Sequence, residues 1–181
     1  MNIIFLDVDG ELTYSNYKNE STANIDPEKV KLLKEICDCT DAKVVISSSW
    51  KGTEDFTPNI YYTLIRILKQ YGIEVIGDTP YIEDASCNQD LQIKSIEDLN
   101  HVKLQHGTGR AAEVYAWIKE HEVDSFVILD DEDWDWYEYG FDDNWIQPTW
   151  YGDGGLKQGH VDKAIKILMG VKNLNLCKED L

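Results

Sequence analysis

The chain has 181 residues, 43% of them hydrophobic, and carries 34 Asp and Glu against 17 Lys and Arg, for a formal net charge of −17. A chain of this size can bury a substantial core, and we read residues 1–181 as one domain. Such acidity excludes a broad footprint on nucleic-acid phosphates or an anionic membrane, because both need clustered cations; a small anionic substrate stays accessible where a divalent cation reverses the local sign.

Ile3-Ile4-Phe5-Leu6 is a short continuous apolar run, as expected of a strand buried on both faces, and it ends in Asp7. Asp26-Pro27-Glu28 reads as a helix start, with Val30, Leu33, Ile36 and Cys37 forming its apolar face. Lys43-Val44-Val45-Ile46 is a second buried strand that runs into Ser47-Ser48-Ser49. The spacing predicts a helix over about 59–71, with Leu64, Ile65 and Leu68 inward and a stop at Gly72, then a third strand at Glu74-Val75-Ile76. Residues 79–107 have weak periodicity and read as a long loop insertion. Thr108 can cap a helix over about 110–121, with Val114, Trp117 and Ile118 on one side. Ser125-Phe126-Val127-Ile128-Leu129 is a further strand ending in Asp130-Asp131. An acidic stretch, Glu132 to Asp143, reads as a solvated loop; its aromatics Trp134, Trp136, Tyr137 and Tyr139 pack it down, or else stack a base. A short strand at Trp145-Ile146-Gln147 and a helix over about 161–168 complete the pattern. Alternating strands and helices imply an α/β fold of three layers, α/β/α, with a central parallel sheet.

Ligands of such sheets bind beyond the carboxyl ends of the strands. Three polar clusters fall there: Asp7-Val8-Asp9-Gly10, Ser47-Ser48-Ser49 and Asp130-Asp131. Carboxylates gathered at one point repel each other unless a cation holds them, so Asp7 with Asp130 or Asp131 implies magnesium, which prefers hard oxygen ligands. A carboxylate can attack a neutralised phosphoryl group, giving an aspartyl phosphate on Asp7. Asp9, two residues on, is placed to protonate the leaving oxygen and later deprotonate water. Gly10 lets the backbone turn sharply and leaves room for the phosphate.

The run Ile3 to Thr13, with Asp7-Val8-Asp9-Gly10-Glu11-Leu12-Thr13 at its end, resembles the first motif of the haloacid dehalogenase (HAD) superfamily. Ser47 resembles its second-motif hydroxyl, and Asp130-Asp131 its fourth, metal-binding motif. The resemblance implies a HAD-like Rossmannoid with little or no cap, acting as a magnesium-dependent phosphatase. It implies metal ligands from Asp7, Asp9, Asp130 and Asp131, and phosphate contacts from Ser47, Gly10, a basic third-motif residue and Lys51. Arg110, at a helix start, is the first candidate for that basic residue, with Lys51 and Lys103 as rivals. The strings Val44 to Lys51, Gly109-Arg110 through Ile118, Val127 to Asp131 and Gly155-Leu156 are similar to the HAD domain of bacterial Swiss-army-knife RNA-repair proteins.

The expected substrate is a small phosphate ester, with a polynucleotide end phosphate as the alternative that the charge disfavours. A receiver-type signalling module fits poorly, since its phosphorylated Asp would lie on the third strand; a catalytically silent phosphate-binding domain is the remaining alternative. Tyr14 to Asn24 and residues 79–107 are the candidate specificity elements. No CxxC pair and no clustered histidine suggests zinc. No stretch has bilayer length, and Met1 to Phe5 is too short for a signal peptide, so a cytoplasmic location is expected. The motifs do not separate hydrolysis from phosphoryl transfer, nor do they set the oligomeric state.

Overall fold

A computed structural model describes residues 1–51, 58–82, 109–134 and 136–170. Residues 83–108, which hold most of the expected loop insertion together with Lys103 and Thr108, lie outside the described residues, as does Asp135.

Five parallel strands form one sheet in the order β3-β2-β1-β4-β5: β1 (Asn2–Leu6), β2 (Lys43–Ile46), β3 (Val75–Asp78), β4 (Ser125–Leu129) and β5 (Trp145–Ile146). β1 is central, with Leu6 opposite Ile46 on one side and Leu129 on the other. Successive strand side chains point to opposite faces. Ile4 and Leu6 therefore join the cluster under α1 (Pro27–Thr40), α2 (Pro58–Gln70) and α4 (Gln158–Met169), whereas Ile3 and Phe5 face α3 (Arg110–Glu120). All four are fully buried, which explains the unbroken apolar run. The result is the expected three-layer α/β/α arrangement.

α1 begins as its sequence requires: the Asp26 carboxylate accepts the Glu28 N–H at 2.9 Å, and Pro27 fills the first turn. In α2 the inward residues are Leu64, Ile67 and Leu68; Ile65, expected inside, is only partly buried. α3 has Gly109 as its N-cap and no side-chain cap. α4 starts three residues before the expected Val161, because the His160 ring accepts the Lys157 N–H at 3.2 Å and orders an extra turn.

The stretch after β4 departs from the solvated loop expected there. Trp136 is fully buried, and Tyr139 and Phe141 join it against α3, held in short 3-10 turns at Trp136–Tyr139 and Asp142–Asn144. Acidic residues between the aromatics mask this cluster from a periodicity reading: the aromatics, spaced irregularly, cover the face where the β4–β5 connection has no helix. Among the described residues, no helix is long and apolar enough to cross a membrane.

Candidate active site

The carboxyl ends of β1, β2 and β4 bring the three polar clusters together. The Asp7 N–H donates to Leu129 O at 2.9 Å and the Ser47 N–H to Leu6 O at 2.8 Å, while Asp130 N–H donates to Ile146 O at 3.3 Å. Each ladder thus continues one residue past its strand, and the side chains emerge together at the sheet edge. This is the point where the strand order reverses, because β1 leads outward to β2 and β3 on one side and the chain then returns from β3 to β4 on the other, the customary ligand position of open parallel sheets.

Oxygens of Asp7, Asp130 and Asp131 lie within 4.8 Å of one another. Asp130 is 1% exposed and its Oδ2 has no hydrogen-bond partner. Burial raises the pKa of Asp7, and burial with the Asp7 charge raises that of Asp130; the same two causes push Asp131 up to about 6. The donors are hard anionic oxygens, one of them buried and unsatisfied, and such a set fits magnesium.

Asp9 stands outside this group. Its Oδ1 accepts from Thr13 Oγ1 at 2.6 Å and its Oδ2 from Trp50 Nε1 at 2.8 Å, so the carboxylate is held in one orientation beside Asp7. Trp50 reads from sequence as packing; its indole N–H also fixes this acid, a role with no local sequence signal across 41 residues.

Gly10 has φ +91°, and a Cβ there would lie 2.3 Å from Asp131 Cγ. Only glycine lets the β1 turn and the β4 end approach so closely. The same turn hides a residue that the sequence reading passed over. Leu12 N–H donates to Val8 O at 2.9 Å, closing a turn that keeps Glu11 within reach of the Asp7 charge. Glu11 is fully buried with both carboxylate oxygens unpartnered, and burial followed by the charges of Asp7 and Asp130 raises its pKa well above the ordinary range. Helical spacing does not apply across this strand-to-turn segment, so no periodic signal in the sequence marks it.

Arg110 is the basic residue that reaches the carboxylates. Its Nη1 donates to Asp7 Oδ1 at 3.1 Å and to Ser47 O, and lies 3.5 Å from Asp130 Oδ2. Its guanidinium rests over the Trp134 ring, 5.0 Å from the centroid. Lys51 points elsewhere: its ammonium pairs with Glu113 Oε2 and donates to Thr79 O at 3.1 Å, with both charged side chains under a tenth exposed. Ser47 sits at the strand end as expected, but its hydroxyl is buried without a partner. The neighbouring Ser48 hydroxyl accepts the Trp50 N–H at 3.3 Å, and Ser49 lines the cleft.

A cleft of about 620 Å³ opens over Asp7, Asp9, Arg110 and Asp131, and its outer wall carries Trp134, Trp150 and Tyr151. A second cavity of about 680 Å³, over Lys51, Thr79 and Glu113, meets it at Arg110 and Ser49.

A family profile described as the HAD domain in Swiss Army Knife RNA repair proteins matches residues 3–161. The chain belongs to this family. No curated protein and no solved structure matches it. Membership in the HAD family suggests a hydrolase activity of the phosphatase type, and the carboxylate cluster of this HAD domain lies where the fold puts its ligands.

Proposed function

We propose that the protein is a magnesium-dependent phosphomonoesterase acting on a small phosphate ester. The observation that carries this reading is the convergence of Asp7, Asp130 and Asp131 with Arg110 in one cleft, next to an oriented Asp9. Asp7, Asp130 and Asp131 would hold the ion, which when bound supplies positive charge against the phosphate oxygens.

Arg110 and the hydroxyls of the Ser47–Ser49 run orient the phosphate. An Asp7 carboxylate oxygen attacks phosphorus, and the bond from phosphorus to the ester oxygen breaks. Asp9 gives its proton to that leaving oxygen, then takes one from the water that attacks the aspartyl phosphate, releasing inorganic phosphate and restoring both carboxyl groups. Thr13 and Trp50 keep Asp9 aimed through both steps.

Purified protein should release phosphate from a generic aryl phosphate in the presence of magnesium and stop on chelation. Asp7→Asn should abolish turnover with the melting transition retained; undiminished turnover by that variant would reject Asp7 as nucleophile.

The family's description supports a second reading, an end phosphatase for polynucleotides. Against it, Arg110 is the one cation among the described residues lining the 620 Å³ cleft, and the chain carries a net charge of −17.

A further inference from the structure

The part of the cleft that faces away from phosphorus has a composition of its own. Once Asp7, Asp9, Asp131 and Arg110 are assigned to the phosphate, the remaining described lining is Ser49, Glu132, Trp134, Trp150 and Tyr151. Among the described residues, three aromatic rings and one carboxylate therefore line this part of the cleft, and no cation belongs to that lining.

The rings are set in place by contacts around the cleft. Trp134 Nε1 donates to Asp130 Oδ1 at 2.9 Å. Trp150 is drawn over the site by the Ser15 N–H, which donates to its carbonyl at 2.8 Å, and Lys18 Nζ lies 5.5 Å from its ring. Tyr151 follows on the same loop and is 80% exposed. Asn16 Nδ2 donates to Asp153 Oδ1 at 3.0 Å, tying this loop to the segment after Gly10. Arg110 covers one face of Trp134, so Trp150 and Tyr151 are the rings left to offer a π face to a planar group at the mouth of this polar cleft. Glu132 repels a second anion and accepts from N–H or O–H donors.

Resting on the phosphatase reading, we infer that the leaving alcohol carries a planar aromatic ring and no negative charge, as a nucleoside does, and that Trp150 and Tyr151 select it. A volume of about 620 Å³ lies in the range of small-molecule sites. The phosphate is then the substrate's sole anion, gripped at one end of the cleft, with the ring stacked at the other.

The test compares a nucleoside 5′-monophosphate with methyl ribofuranoside 5-phosphate, which presents the same primary ester without the base. Wild-type protein with magnesium should prefer the nucleotide by about tenfold or more in kcat/KM, mostly through KM. Trp150→Ala and Tyr151→Ala should each pull that ratio toward one. Equal rates on the two esters, or a ratio unmoved in both variants, would overturn the selection. Preference for a 5′-phosphorylated oligonucleotide over the mononucleotide would overturn the exclusion of further charge. A separate readout uses Asp7→Asn: the nucleotide should quench tryptophan fluorescence where the riboside phosphate does not. Quenching without turnover by the wild type would reject the phosphatase reading and leave the aromatic site standing; turnover of both esters without quenching would do the reverse.

Discussion

Replacing Glu11 by methionine should stabilise the protein, and increasingly so as the pH rises. Glu11 is fully buried, and neither carboxylate oxygen has a partner. An unpartnered buried polar group destabilises by about 1–3 kcal/mol, and a charged one by more. Methionine has similar length, bends to fit and needs no partner. Taking about 2 kcal/mol, and about 2–4 °C per kcal/mol for a chain of this size, Tm should rise by about 4–8 °C near neutral pH. The sign of the pH dependence follows from the raised pKa of Glu11. Above the ordinary carboxylate range the unfolded chain releases this proton while the folded chain keeps it, so the wild type loses stability as pH rises. The thioether of the Glu11→Met variant carries no such proton, and the gap between the proteins should widen from about pH 5 to about pH 8. Calorimetric melts of both proteins without magnesium measure it. A gap that shrinks with pH, or a variant that melts lower, would refute the argument.

Gly10→Ala should destabilise by at least about 1–2 kcal/mol, since a side chain is strained at φ +91°; it should also raise the magnesium concentration needed for half-maximal activity, because the new methyl displaces Asp131. Glu113→Gln leaves the buried Lys51 ammonium without its counter-charge, so urea unfolding should show a loss of about 3 kcal/mol, more than half of it recovered in the Lys51→Met, Glu113→Gln double variant. Magnesium should raise Tm more at about pH 8 than at about pH 5.5. Asp131, with a pKa of about 6, and Asp130, raised to about 8, hold protons at the lower pH that the ion must displace, and equal shifts at both pH values would refute this.

The order of strands and helices was legible because two-sided burial leaves a plain mark: Ile3 to Leu6, Val44 to Ile46 and Val127 to Leu129 are unbroken apolar runs, each followed by a polar cluster. The grouping of Asp7, Asp130 and Asp131 followed from that placement. Contacts set by tertiary packing left no such mark. The sequence puts Arg110 first and leaves Lys51 as a rival, and only the approach of α3 to the end of β2 turns Lys51 toward Glu113 and Arg110 toward Asp7. The Trp50 indole on Asp9 and the Trp150 loop over the cleft likewise depend on segments far apart in the chain. Trp136 was hidden for a different reason: acidic neighbours made a core residue look like part of a solvated loop.

The central position of β1 also bears on how the protein is made. The strand that carries Asp7 leaves the ribosome before the other four, yet one of its two flanks is covered only by β4, whose Leu129 pairs with Leu6 more than a hundred residues later. Until that partner has been synthesised, a nascent chain holding β1 to β3 presents an apolar strand edge open to any other extended segment. Chains halted before residue 125 should therefore aggregate or engage chaperones, and only synthesis through β4 closes that edge.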